Sequence, residues 1–332
     1  MVKDTKKFIK NPNHYKDLKN KIADDLVNLI TSESAPWRKP WKPAPGITAF
    51  PSNAITGKSY NGMNTWLLWG KSDSNLWATF KTWKKAGYSV IKGSKGTAIH
   101  YFEPVRKPII EDGKIAKNKK GEDMYRMSFL FKTHYLFSAE QVQDKNKKPF
   151  TLPKVKVLKP KERIANCEKF FKNLSASLLP SSDKCYYRPA TDQIGMVSID
   201  QFDTKEDYYS VLAHEHVHWT GADHRLKREK LNYAEEELVA EIGAFLTSVH
   251  LGIQSKPKAN NLAYLKSWSQ GDVSKSKIFT ALSDASKSLE FMKEFNTKEA
   301  KRVLKIACKH KKLLNNLTRA GYIPALKQKV IL

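Results

Sequence analysis

Residues 208–218 read Tyr-Tyr-Ser-Val-Leu-Ala-His-Glu-His-Val-His. This apolar segment carries the H-E-x-x-H spacing that builds catalytic zinc sites. Positions four apart lie one above the other on the same helix face, so the imidazoles of His214 and His218 can converge on one ion. Glu215 leaves the helix beside that ion, where a carboxylate can take a proton from a zinc-bound water and return it to a leaving group. Val211, Leu212 and Ala213 precede the pair, Val217 lies within it, and Trp219-Thr220-Gly221 follows. The pattern is that of a mostly buried helix stopped by a C-terminal glycine.

Two histidines leave zinc short of at least one protein ligand, and two candidates compete. His224 completes H-E-x-x-H-x-x-G-x-x-H, the metzincin spacing, with Gly221 supplying the turn. Glu237 lies in a second helical stretch, 233–246, whose apolar positions Leu238, Ile242, Phe245 and Leu246 would pack it against the first. Glu237 and Glu241, four apart, share one edge of that stripe, so one carboxylate can bind metal while the other orients a histidine from behind. The glutamate is favoured, because the segment after Gly221 is polar and basic (Arg225, Lys227, Arg228, Lys230) and Met292, the only later methionine, sits in a helical pattern unsuited to a Met-turn. A run such as Glu235, Glu236, Glu237 and Glu241 ordinarily marks a solvated acidic face, a reading weakened here by the apolar stripe that two of the four border. Helical phase points His216 away from the pair, toward the surface or a supporting position.

At 332 residues, with 40% apolar content, the chain is long enough for two domains with ample cores. Lys+Arg 59 against Asp+Glu 33 gives a net charge of +26, which points to a polyanionic partner, either nucleic acid or an acidic membrane surface. Simple solubility is the bland alternative. There is no run of eighteen apolar residues and no signal-peptide core in the first segment, so a soluble protein, cytoplasmic in its host cell, is expected. Cys167, Cys185 and Cys308 are widely spaced and offer neither a disulfide frame nor a thiolate zinc site.

Along the chain, helical periodicity marks 15–30, and 77–87 reads as a short helix ended by glycine. Strands are expected at 97–102, 125–136 and within 186–199, and a polar hairpin or loop at 111–123. A helix is expected at 164–174, and Ile278, Leu282, Ala285, Leu289 and Met292 mark a late amphipathic helix. The expected organisation is a domain over 1–145, a proline-punctuated linker over 146–162, a second domain over 163–300 and a basic helical tail over 301–332.

Six of the eight tryptophans lie in the first quarter of the chain, among many cations. Cations that follow phosphates and flat side chains that stack on unpaired bases make a surface for single-stranded nucleic acid. Trp66, Trp77 and Trp83 are expected to be structural. Trp37, Arg38, Lys39 and Trp41, in a proline-flanked loop, and Lys58, Lys81, Lys84, Lys85, Lys92 and Lys95 are the candidate contacts.

Taken together, several segments resemble the ArdC antirestriction family encoded by conjugative plasmids and phages. In the first half they are PWRKPW, PSNAITGKSYNGMN, WATFKTWKKAGYSVIKGSKGTAIHYFEP and LFSAEQV. In the second they are YYRPATDQIGM, YYSVLAHEHVHWTGADHRLKRE, YAEEELVAEIGAFL and, more weakly, YLKSW at 264–268. The likeness runs from about residue 15 to 295 and implies an α+β chain: an N-terminal single-stranded-DNA-binding domain with a small antiparallel sheet, then a mainly helical zincin-like metallopeptidase domain. It implies a protein that shields incoming mobile DNA from restriction. In zincins of this kind the pattern E-x-x-A-[DE] supplies the ligand from its first acid, which maps onto Glu237, with Glu241 in support; His224 falls where such families do not usually place a ligand. The cofactor implied is Zn2+, with Mn2+, Ni2+ or Co2+ as substitutes. The partners implied are single-stranded DNA and, for an active zinc domain, a protein substrate such as a host defence protein, with no membrane. Two other readings stay open: a non-enzymatic shield with a structural metal, and a basic metallopeptidase with no DNA function.

Overall fold

The computed structural model describes residues 20–26, 28, 50–111, 114–118, 120–153, 158–229, 231–253 and 276–297, with backbone alone at 102, 104, 127–131 and 276. Trp37, Arg38, Lys39, Trp41, the YLKSW segment, Cys308 and the basic tail lie outside the described residues. The chain divides into two compact units: 46–60 with 67–154, and 1–45 with 61–66 and 155–332. Both α and β structure are present, in small sheets and a helical C-terminal part.

The first unit is a four-stranded sheet in the order β1-β2-β7-β4, where β1 is Ser52–Asn53, β2 Leu76–Thr79, β4 Thr97–Pro108 and β7 Tyr125–Ser138. The long ladder pairs β4 with β7 antiparallel from Thr97↔Leu136 to Pro108↔Tyr125. β2 is antiparallel to β7, and β1 is parallel to β2. β4 lies at the sheet edge, where its prolines at 104 and 108 remove no ladder bond that a neighbouring strand needs. The hairpin of β5, Ile110–Glu111, and β6, Lys114–Ile115, overlaps the start of the 111–123 segment.

Residues 77–79 correct the expected helix: they pair with β7, and only α2, Phe80–Lys85, is helical. Trp77 and Ala78 are 1% and 0% exposed, so burial on both faces of the sheet overrides local helical periodicity. One face packs Leu68, Trp77, Ile99 and Leu136. The other packs Leu76, Ala78, Trp83, Ala139 and Val142, with β3, Ser89–Val90, pairing to β8, Val142–Gln143. Trp83 is fully buried and its indole donates to the Phe137 carbonyl at 2.9 Å; Trp66 and Trp77 are buried as well.

The second unit is mainly helical. Its helices are α3, Pro160–Leu174, α4, Lys205–Thr220, α5, Tyr233–Leu251, and α6, Ser276–Glu294. The short helix α1, Met63–Leu68, enters it at its start: Gly62 donates its backbone N–H to Ser286 Oγ at 3.1 Å, and Trp66 packs against Phe245 with ring centroids 5.6 Å apart. Residues 20–26 are helical, and Ile22, Ala23 and Leu26 are buried. A three-stranded sheet, β10-β11-β9, joins Tyr186–Arg188, Gln193–Met196 and Ser177–Pro180; the last of these strands was not anticipated from the sequence. Gly243 lets α4 and α5 approach closely, since a Cβ there would fall 2.6 Å from a Val217 methyl. No helix among the described residues is long and apolar enough to cross a membrane.

Candidate metal centre

Two helix starts set the site. Thr204 accepts from Asp207 N at 3.1 Å and caps α4, and Asn232 accepts from Glu235 N at 2.9 Å and caps α5. From α4, one face presents His214 and His218, with Nε2 atoms 3.1 Å apart. From α5, Glu237 places Oε2 3.4 Å from His214 Nε2 and Oε1 3.4 Å from His218 Nε2. The three donors lie within 4.8 Å of one another.

The outer ring nitrogens face carboxylates too. His218 Nδ1 is 3.0 Å from Glu236 Oε1, and His214 Nδ1 is 2.9 Å from Glu241 Oε1, off the line that a ring N–H would take. A carboxylate behind each Nδ1 favours the tautomer whose Nε2 lone pair faces the other two donors. Two imidazoles and a carboxylate converging in this way are a donor set that fits a divalent ion such as zinc.

Electrostatics favour positive charge at the same point. Burial would lower the pKa of His214, but the Glu237 and Glu241 carboxylates outweigh it and raise it to about 9. Burial acts on His218 in the same sense and is outweighed by Glu236 and Glu237, so its pKa is raised too. Burial would raise Glu237, yet its bonds to the two imidazoles hold it below the ordinary carboxylate range. Glu215 is 3% exposed, and its charge acts on both histidines.

His214, His218 and Glu237 are therefore brought together, with Glu241 beside His214, and Glu215 is buried on the same helix as the two histidines. His224 is not among them: its Nε2 accepts from Arg225 at 2.6 Å and lies 3.3 Å from Asp192, and its side chain is 47% exposed. Of the two positions expected for His216, the surface one is wrong. The residue is 1% exposed, with Nδ1 2.8 Å from the Leu212 carbonyl and its ring 4.9 Å from that of Phe171. The face of α4 opposite the metal pair is thus also buried, and burial, helped by the Arg225 charge, lowers its pKa to about 4.

The sequence reading missed Glu236 and Arg228 as a unit behind His218, with Arg228 Nη1 donating to Glu236 at 3.1 Å. Glu236 was visible only as one acid in a run. It also missed Arg225, whose guanidinium lies 4.0 Å over the Trp219 ring and pairs with Asp192. Of the candidate nucleic-acid contacts, Lys58, Lys81, Lys84, Lys85, Lys92 and Lys95 are all exposed. Lys81, Lys84 and Lys85 sit on α2, beside Phe80, which is 55% exposed.

Residues 165–284 match the zincin-like metallopeptidase family, and residues 16–137 match the N-terminal domain of anti-restriction factor ArdC. A DNA primase TraC of Escherichia coli is 30% identical over 299 residues, covering 84% of this chain and 20% of that protein. A second TraC is 31% identical over 313 residues, covering 88% and 28%. The chain therefore spans only a fifth to just over a quarter of these relatives. The uncharacterized protein y4eC of Sinorhizobium fredii is 27% identical over 289 residues, covering 83% of this chain and 91% of that one. Among solved structures, the metal-free antirestriction ArdC protein of plasmid R388 aligns with TM-score 0.63 at 28% identity, over 84% of this chain and 97% of that one. Its Mn(II)-bound form aligns with TM-score 0.62 at 28% identity, over 85% and 99%. The zincin-like match and the Mn(II)-bound relative point to a divalent metal.

Proposed function

Because this chain belongs to the ArdC antirestriction family, we propose that it protects the DNA of a phage or plasmid by engaging single strands while holding zinc in its helical unit. The observation that carries the metal part is the convergence of His214, His218 and Glu237, with carboxylates behind both imidazoles. A divalent ion held there supplies Lewis acidity toward water and toward a peptide carbonyl. Glu215, buried beside the histidines, is the group placed to accept a proton and return it to a leaving amine. His214, His218 and Glu237 would hold the ion, with the Glu241 carboxylate beside His214 Nδ1.

The single-strand part rests on the exposed lysines of the sheet unit and on exposed rings beside them in the sequence and along the sheet, Phe80, Tyr101 and Tyr135. Trp37, Arg38, Lys39 and Trp41 are proposed as further contacts from their composition alone and lie outside the described residues. A protein substrate, in this reading, would be one such as a host defence protein in the cytoplasm.

A second reading is favoured by the same geometry: ligands from α4 and α5 would let the ion pin two helices together without any hydrolysis. Glu215→Gln separates the two. Protection of DNA that survives this substitution supports the shield; protection lost while metal content is unchanged supports peptidase chemistry. Elemental analysis of unchelated protein tests the centre itself, and the absence of a stoichiometric divalent metal overturns it.

A further inference from the structure

Behind the Glu236 carboxylate that faces His218 lies a set of contacts made by Arg228 that the metal reading does not use. Arg228 stands in the loop between α4 and α5, and its side chain is 4% exposed. Nη1 donates to Glu236 Oε1 at 3.1 Å, and that same oxygen is 3.0 Å from His218 Nδ1. Nη2 donates to the Val217 carbonyl at 2.6 Å and to Thr220 Oγ1 at 3.1 Å. The guanidinium is therefore fixed at the C-terminal end of α4, where a cation suits both the helix dipole and the unmatched carbonyls.

Gly221 makes room for it. Its φ of −74° asks nothing special of the residue, but a Cβ would fall 2.8 Å from Arg228 Nη2. The glycine that follows the histidine motif thus answers to the arginine rather than to a left-handed turn.

The physical logic is charge and direction. Glu215, Glu236, Glu237 and Glu241 crowd one pair of imidazoles, and like charges this close oppose one another. Arg228 compensates one of them and aims its oxygen at His218. An acceptor on Nδ1 fixes the ring orientation and leaves Nε2 free to donate its lone pair.

Resting on the metal centre proposed above, we infer that Arg228 and Glu236 are positioning residues for His218, so that the loop after α4 governs how tightly the centre retains its ion. The test uses the full chain, loaded with Zn2+ and titrated against a chromogenic chelator, with Co2+ absorption as a report of ligand geometry and the melting temperature of the chelated protein as a folding control. Glu236→Ala is expected to weaken retention about 10–100-fold and to alter the Co2+ bands. Glu236→Gln keeps an acceptor oxygen and is expected to recover most of that loss. Arg228→Gln and Gly221→Ala are expected to act in the same direction as Glu236→Ala, by about tenfold. Glu236→Ala with undiminished affinity and an unaltered Co2+ spectrum overturns the inference and leaves the centre standing. Full retention in Arg228→Gln alongside a loss in Glu236→Ala overturns the part assigned to the arginine. Failure of the unsubstituted chain to take up metal overturns both the inference and the reading beneath it.

Discussion

The helical unit and the sheet unit handle charge in opposite ways. The helical unit buries Arg225 and Glu235 and nearly buries Arg228, each against an ion-pair partner, and it buries Glu215, whose charge acts on His214 and His218. The buried polar groups of the sheet unit are small or uncharged, such as Ser52, Ser74, Asn75 and Ser138, or a histidine bonded to a threonine, His100 to Thr133. Its described lysines are exposed. A buried charge requires one particular partner at one distance, because desolvation otherwise destabilises it. A solvated charge requires only company of its own sign. The first arrangement encodes a site atom by atom, and the second encodes a field in which no single residue is indispensable.

This contrast can be broken most decisively at the metal pair. His214→Ala or His218→Ala should abolish stoichiometric metal retention, measured by elemental analysis, while oligonucleotide affinity stays within twofold of the unsubstituted chain. A joint loss, with the fold intact by circular dichroism, would end the separation of roles. Next in size is the salt response. Raising ionic strength from 50 to 200 mM should weaken binding to a single-stranded oligonucleotide by roughly two to three orders of magnitude if about six phosphates are contacted. A flat response would assign the basic surface to solubility instead.

Smaller, and confined to the helical unit, is the response to acid. His216 has a folded pKa near 4, lowered by burial, against an unfolded value of about 6.5. The unfolded chain therefore binds the extra proton, so the stability tied to this group is present above about pH 6.5 and is lost as pH falls toward 4. The loss should be about 3 kcal/mol in chelated protein, read from denaturant midpoints. His216→Phe, which keeps a ring against Phe171, should flatten that part of the profile; an unchanged profile removes His216 as its source. The smallest effect belongs to the sheet unit: Lys84→Gln or Lys85→Gln alone should weaken oligonucleotide binding only a few-fold and reduce the salt slope by about 0.7. A hundredfold loss from either would mean that this surface, like the metal centre, depends on individual partners.

The same division explains what could be read from residues in order. Positions four apart on α4 and on α5 share a face by backbone geometry alone, so the pairing of His214 with His218 and the alignment of Glu237 with Glu241 were legible without any tertiary information. So was the amphipathic α6, and so was the burial of Trp66, Trp77 and Trp83, which follows from size and apolarity. Residues 76–79 were not legible, because their strand state comes from pairing with residues far along the chain, Leu136 to Ser138. Nor was the destination of 61–66, which packs with the helices through Gly62 and Trp66 although it lies among residues of the sheet unit.

By itself, then, the sequence determined the chemistry available: two imidazoles and a neighbouring acid on one helix, two acids on the next, and a large surplus of lysine. Only the tertiary structure decided which acid meets which ring nitrogen, that Arg228 rather than solvent lies behind Glu236, that His224 turns to Asp192, and that His216 is enclosed. Helical periodicity is a property of the local backbone, repeated every few residues. The rotation of one helix against another, and the path of the loop between them, is settled by packing such as Val217 against Gly243, which no local pattern contains.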